Sequence, residues 1–130
     1  VQFELGSVAT ALEYRPYGEE LALCQRYYQK SYDQAVALGT ASEDAYVTAH
    51  CLQSTGQLWC GYPLPVTMRA SPTTTIWSFG GTLGSWSNTA GADHGAGTLA
   101  ILDNKIQGGA ITGATIGNGY VCHYATSAEL

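Results

Sequence analysis

Arg15–Lys30, R-P-Y-G-E-E-L-A-L-C-Q-R-Y-Y-Q-K, carries the only convincing helical pattern in the chain. Leu21, Cys24, Gln25 and Tyr28 recur at i, i+3, i+4 and i+7, the spacing of one helix face. Pro16 keeps Arg15 extended and fixes the entry. Gly18 is an acceptable N-cap, and Glu19 and Glu20 stand where a helix N-terminus favours negative charge. Arg26 and Lys30 fall towards the other end. The pattern predicts a helix over Glu19–Tyr28, with Leu21 and Cys24 facing a β-sandwich. Everything after it reads as β structure.

Beyond the helix, Tyr27, Tyr28 and Tyr32 point to a short strand, and Ala35–Asp44 reads as a loop. Ala45–Gln53 and Gln57–Tyr62 form a hairpin pattern with S-T-G-Q at the turn. Pro63, Pro65 and Pro72 punctuate the next segment, so Val66–Ala70 reads as a short strand with limited pairing. Thr73–Phe79, Thr98–Asp103, Ala110–Thr115 and Tyr120–Ala125 complete about seven strands. Ser78–Gly97 holds Gly80, Gly81, Gly84, Gly91, Gly95 and Gly97 without periodicity and reads as a long surface loop. The fold class expected is mainly β, an antiparallel, jelly-roll-like β-sandwich preceded by one short α-helix.

In front of the helix, Val1–Leu5 alternates as a strand and Gly6–Tyr14 reads as a linker. Residues 1–16 are therefore expected to be the end of a preceding domain and its connection, and residues 17–130 the module itself. The chain begins at Val1, so a fragment of a longer protein is expected.

Composition narrows the function. The net charge is −5, with only five Lys and Arg and no basic cluster. Nucleic-acid affinity is dominated by such residues on phosphates, and anionic membranes also need them. Neither partner is expected. Charged residues make up 12% of the chain, about half of the roughly 25% usual in soluble domains. Gly, Ser, Thr, Asn and Tyr fill the gap, giving a neutral polar β surface. No run of 18 apolar residues is present, so no transmembrane helix is expected.

Chemistry-bearing groups are few. His50–Cys51 and Cys122–His123 are adjacent pairs on strand patterns, where neighbours point to opposite faces, so neither chelates from one side. The C-x₂₋₄-C spacing of structural zinc sites is missing. No metal and no cofactor is expected. Glu19–Glu20 is explained by its place at the helix start. Asp93–His94 is an acid–imidazole pair inside the glycine-rich loop, where Asp also favours turns for its own reasons. Trp59 alternates with Leu58 and Cys60 and reads as core. Trp77 and Trp86 flank or occupy the glycine-rich loop. An indole on an uncharged polar surface makes a platform for a sugar ring. Trp86, with Ser85, Ser87, Asn88 and Thr89 around it, reads either as such a platform or as a cap on the core. The candidate binding set is Trp77, Trp86, Asn88, Asp93 and His94.

Three segments carry a resemblance. G-S-V-A-T-A-L-E-Y-R-P-Y-G-E-E-L-A-L-C-Q-R-Y-Y-Q-K at Gly6–Lys30, L-P-V-T-M-R-A-S-P-T at Leu64–Thr73, and G-Y-V-C-H-Y-A-T-S-A-E-L at Gly119–Leu130 occur in this order. Together they resemble the C-terminal modules of bacteriophage tail-fibre and tail-appendage proteins. Ser78–Gly97 lies outside the resemblance, where such proteins diverge. The resemblance implies a homotrimer in the virion, assembled in the bacterial cytoplasm, that binds a host cell-surface receptor, a glycan or a protein, without catalysis. That compartment keeps thiols reduced, so Cys24, Cys51, Cys60 and Cys122 are expected to be free. A glycan-degrading appendage enzyme and a purely structural connector are the alternatives. The enzyme would need paired carboxylates across a groove, and after Asp44 only Asp93, Asp103 and Glu129 remain.

Overall fold

The computed structural model describes residues 14–128, so the expected strand at Val1–Leu5 and most of the linker lie outside the described residues. Among the described residues one helix, α1 (Tyr17–Gln25), precedes nine strands. These are β1 (Tyr28–Lys30), β2 (Val47–Cys51), β3 (Gln57–Pro63), β4 (Thr73–Trp77), β5 (Trp86–Asn88), β6 (Asp93–His94), β7 (Thr98–Ile101), β8 (Lys105–Ala110) and β9 (Gly119–Ser127). Every ladder is antiparallel. The sheet runs β6-β5-β9-β2-β3-β8-β7, with β1 and β4 also on β9. The protein is mainly β, a curled antiparallel sheet with one short helix.

Strand β9 explains the curl. Its first half, Gly119–Cys122, pairs with β2 and β5, and its second half, His123–Ser127, pairs with β4 and β1. A strand shared by two sheet portions is covered on both faces. Tyr120 to Thr126 are accordingly all buried, and the segment reads as a continuous run rather than an alternation. Inside the curl, Ala49, Cys51, Leu58, Ile76, Ile106 and Cys122 form the centre of the core. The four cysteines are free thiols. Burial pushes the Cys60 thiol up to about 11, and burial, with Cys60 nearby, pushes Cys122 up as well. Both stay protonated and weakly nucleophilic at neutral pH.

The loop over residues 31–46 is fastened to the outer face of β9 by His123. Its imidazole is fully buried and stacks on Tyr32 at 4.1 Å between ring centres. Nε2 lies 2.9 Å from the Ser42 carbonyl oxygen. A carbonyl only accepts, so Nε2 carries the proton and donates. Phe79 packs beside the same ring.

Several expectations from sequence are corrected here. The helix starts at Tyr17, with Pro16 rather than Gly18 at the N-cap, because the Pro16 carbonyl accepts from the Glu19 and Glu20 amides. No residue of α1 is buried, and Leu21 and Cys24 are exposed. Their face does turn towards the sheet, but across an open groove shared with Tyr28, Pro65 and Tyr124. The segment Val66–Ala70 is not a strand. Its neighbouring prolines lack donors, and its amides serve separate partners: Met68 donates to Asp103 and Arg69 to Arg26. Ala110–Thr115 is mostly irregular, and the strand lies earlier, at Lys105–Ala110. Within that strand Gly108 and Gly109 allow close approach of the neighbouring strands, their added Cβ atoms standing 2.3 Å from the Leu58 carbonyl oxygen and 2.0 Å from the Thr98 carbonyl oxygen. Ser78–Gly97 contains β5 and β6 rather than a single loop.

Candidate functional site

Strand periodicity sorts the five predicted residues onto two faces. Register places Ser87 beside Val121 and Asp93 beside Ser87, all on the outer face of the sheet with His123. Asn88 lies beside Tyr120 and Trp86 beside His94, on the inner side. The predicted set is therefore not one constellation.

Trp86 is core, not a platform. It is 0% exposed, and its Nε1 donates to the Thr98 carbonyl at 3.1 Å. Room for the indole comes from glycines on other segments: a Cβ at Gly97 would stand 2.4 Å from its Cδ1, and one at Gly109 3.2 Å from its Cζ2. Trp77 is partly buried on the outer side, edge-on to Tyr32 at 6.0 Å. His94 packs edge-on against Tyr120 at the sheet margin. Asn88 closes the β5–β6 turn, its Oδ1 accepting from the amides of Ala90 and Ala92.

Asp93 ties the β5–β6 hairpin to the preceding turn. Its Oδ2 accepts from the Thr82 hydroxyl at 2.6 Å and its Oδ1 from the Ser87 hydroxyl at 2.9 Å. Ser87 Oγ in turn accepts from the Phe79 amide, and Ser78 Oγ from the Thr82 amide. Partial burial opposes the charge, but hydrogen bonds from Thr82, Ser78 and Ser87, with His94 nearby, outweigh it and hold the carboxyl below its ordinary range. The sign follows. A carboxyl whose pKa is lowered by folding contributes stability above its ordinary pKa, and that contribution disappears as pH falls through the lowered value. Asp93→Asn is expected to be less stable than the parent at pH 7. The gap in melting temperature should close as the pH is lowered past the ordinary carboxylate range towards 2. A gap that does not change with pH would show that the carboxylate charge is not what holds the hairpin.

The outer face stays open beside this hairpin. Gly119 leaves a dip flanked by Thr89 and His50, whose Cγ2 and Cε1 would meet an added Cβ at 3.5 and 3.6 Å. His50 pairs across the sheet with Trp59, and Trp59 with Gly108. His50 and Trp59 are exposed, whereas Cys51 and Leu58 point into the core. Thr89, His50 and Trp59 thus form one continuous surface across four strands.

Trp59 is the residue that the sequence reading set in the core. Alternation separated it from Leu58 and Cys60; taking that aliphatic and thiol pair as the inward one would have turned the indole outward. Among the described residues no group of three or more His, Cys, Asp and Glu side chains is placed to hold a metal ion, and no helix is long and apolar enough to cross a membrane. Comparison of the chain with protein-family models, with curated proteins and with solved structures returns no match.

Proposed function

We propose that this chain is the receptor-binding module of a bacteriophage tail fibre, a homotrimer in the virion that holds a host cell-surface glycan without catalysis. The observation that carries the reading is the rigid hairpin beside an open sheet face. The hydroxyl–carboxylate network around Asp93 fixes the β5–β6 hairpin before any ligand arrives, and pre-organisation reduces the ordering cost of binding. Loops held on a rigid scaffold are the usual site of recognition. The sequence resemblance at Gly6–Lys30, Leu64–Thr73 and Gly119–Leu130 supplies the phage context.

Homotrimerisation has its own support. Tyr14, Tyr17, Leu21, Leu23, Tyr27 and Tyr28 are all exposed along one short stretch. So much apolar surface on a monomer marks a contact surface, and three copies arranged about the fibre axis would cover it. Light scattering is expected to give three times the 13.7 kDa chain mass. Fluorescently labelled protein is expected to coat intact cells of a subset of strains in a bacterial panel. Coating of no strain would overturn the receptor-binding role, and a strict monomer would overturn the trimer.

A further inference from the structure

We propose that the outer face of β3, β8 and β7 is a subsite for one ring of a neutral saccharide, stacked on Trp59 over a floor made by Gly108 and Gly109. This rests on the glycan-binding reading above and names the place and the chemical class of the contact.

The register builds the subsite. Across the sheet, Trp59 pairs with Gly108 and Gly108 with Ala100, while Gln57 pairs with Ala110 and Ala110 with Thr98. Next to the indole, the two following strands therefore carry no large side chain. The result is a groove of about 320 Å³ with Trp59 as its wall, and Gln57, Gln107 and Thr98 at its margins. That is at the small end of ligand sites, which start near 300 Å³.

Two features separate this groove from an ordinary stretch of sheet surface. Trp59 is 48% exposed. An aromatic residue opposite a glycine can lie over it to cover the backbone, but here about half of the residue's surface stays in water. Second, the Gln57 and Gln107 amides and the Thr98 hydroxyl make no hydrogen bond to another described residue. They offer both donors and acceptors around an apolar plate.

That combination matches a pyranose, which has one face of C–H groups and a rim of hydroxyls. Charge selects within the class. No Lys, Arg, Asp or Glu lines the groove. A phosphorylated or sialylated sugar would lose hydration there with no countercharge in return, so an uncharged hexose or N-acetylhexosamine unit fits.

The test uses the whole chain with maltotriose, cellotriose and N,N′,N″-triacetylchitotriose, and sialyllactose as the charged control. In ¹H–¹⁵N spectra, at least one neutral trisaccharide is expected to shift the Trp59 indole N–H and the Gly108 and Gly109 amides together, with sialyllactose shifting none. Trp59→Ala is expected to weaken that saccharide about tenfold or more, equivalent to about 1.4 kcal/mol, with an unchanged melting temperature and oligomeric mass. Gln107→Ala is expected to weaken it less. Binding undiminished in Trp59→Ala, or no shift at Gly108 with any of the three, would overturn the subsite. If Trp59→Ala instead dissociates the oligomer, the face is a contact between copies and the subsite is overturned too. The two proposals fail separately. Cells coated equally by Trp59→Ala and the parent would remove the subsite alone, while saccharide binding with no cell coating would remove the receptor-binding role alone.

Discussion

Trp86→Ala is expected to remove about 3–5 kcal/mol of stability, the range for truncating a buried Phe or Trp. The indole is fully buried between Gly97 and Gly109, so its removal leaves a cavity whose rims are backbone. Gly109 is held in two ladders and Gly97 by its amide's hydrogen bond to the Gly84 carbonyl, so neither collapses readily into the space, and this puts the cost at the upper part of the range. Native domains have roughly 5–15 kcal/mol in total, so the variant keeps only part of its stability. A drop in melting temperature of roughly 10–20 °C follows for a domain of this size. Trp86→Phe separates the terms. It keeps most ring contacts but leaves the Thr98 carbonyl without the Nε1–H donor, at a cost of about 1–3 kcal/mol. Urea unfolding of both variants measures the difference. A melting temperature for Trp86→Ala within 2 °C of the parent, a shift of well under about 1 kcal/mol, would show that the ring is not the centre of the inner face. The expectation inverts what a recognition residue would do, since a platform indole can be removed without harm to the fold.

Much of the architecture is legible in the sequence, and what is not has particular causes. Helix α1, the β2–β3 hairpin, β4 and β9 announce themselves by local pattern, because each is specified by its own residues and turns. The surroundings of Trp86 do not. Gly97 and Gly109 make its pocket from separate segments, and each alone looks like a loop or turn residue. Trp59 is missed for a different reason. Period-2 alternation gives two faces but does not say which one is inside, and reversing that choice moves every side chain. The face of α1 is half legible. Leu21, Cys24 and Tyr28 do line one groove with Pro65 and Tyr124, but the spacing does not tell whether that groove closes. Asp93 was legible as a turn residue; its links to Thr82 and Ser87 depend on the β5–β6 register.

Gly108→Ala is expected to be among the most costly small substitutions at the described residues, at about 3 kcal/mol or more. Two independent effects add. The residue has φ +148, a conformation that is essentially confined to glycine and costs other residues of order 1–3 kcal/mol. In addition, an added Cβ would stand 2.3 Å from the Leu58 carbonyl oxygen and 3.4 Å from the Trp59 Cα. Both neighbours are backbone, so no rotamer change relieves the contact, and β3 must move away from β8. Both ladders of β8 are regular from Gly108 to Ala110 and shift register just before Gly108, after Trp59 and after Ala100, so on that side the strain meets an irregular stretch of sheet. Gly113 is the control. It too has positive φ, +78, but nothing lies within 4 Å of its added Cβ. Gly113→Ala should therefore cost only the conformational strain, about 1–2 kcal/mol, less a gain of about 0.4–1 kcal/mol from a stiffer unfolded chain. Urea unfolding of the pair isolates the close approach of β3 and β8. Equal costs within about 0.5 kcal/mol, the scatter of surface sites, would show that the two strands do not meet as described. The same close approach makes the bare floor beside Trp59. Gly108 is glycine because the backbone requires it, and the open groove is a consequence of that requirement. For this reason ligand binding has to be probed at Trp59 and Gln107, whose side chains the fold does not use, since any change at Gly108 disturbs the sheet before it touches a ligand.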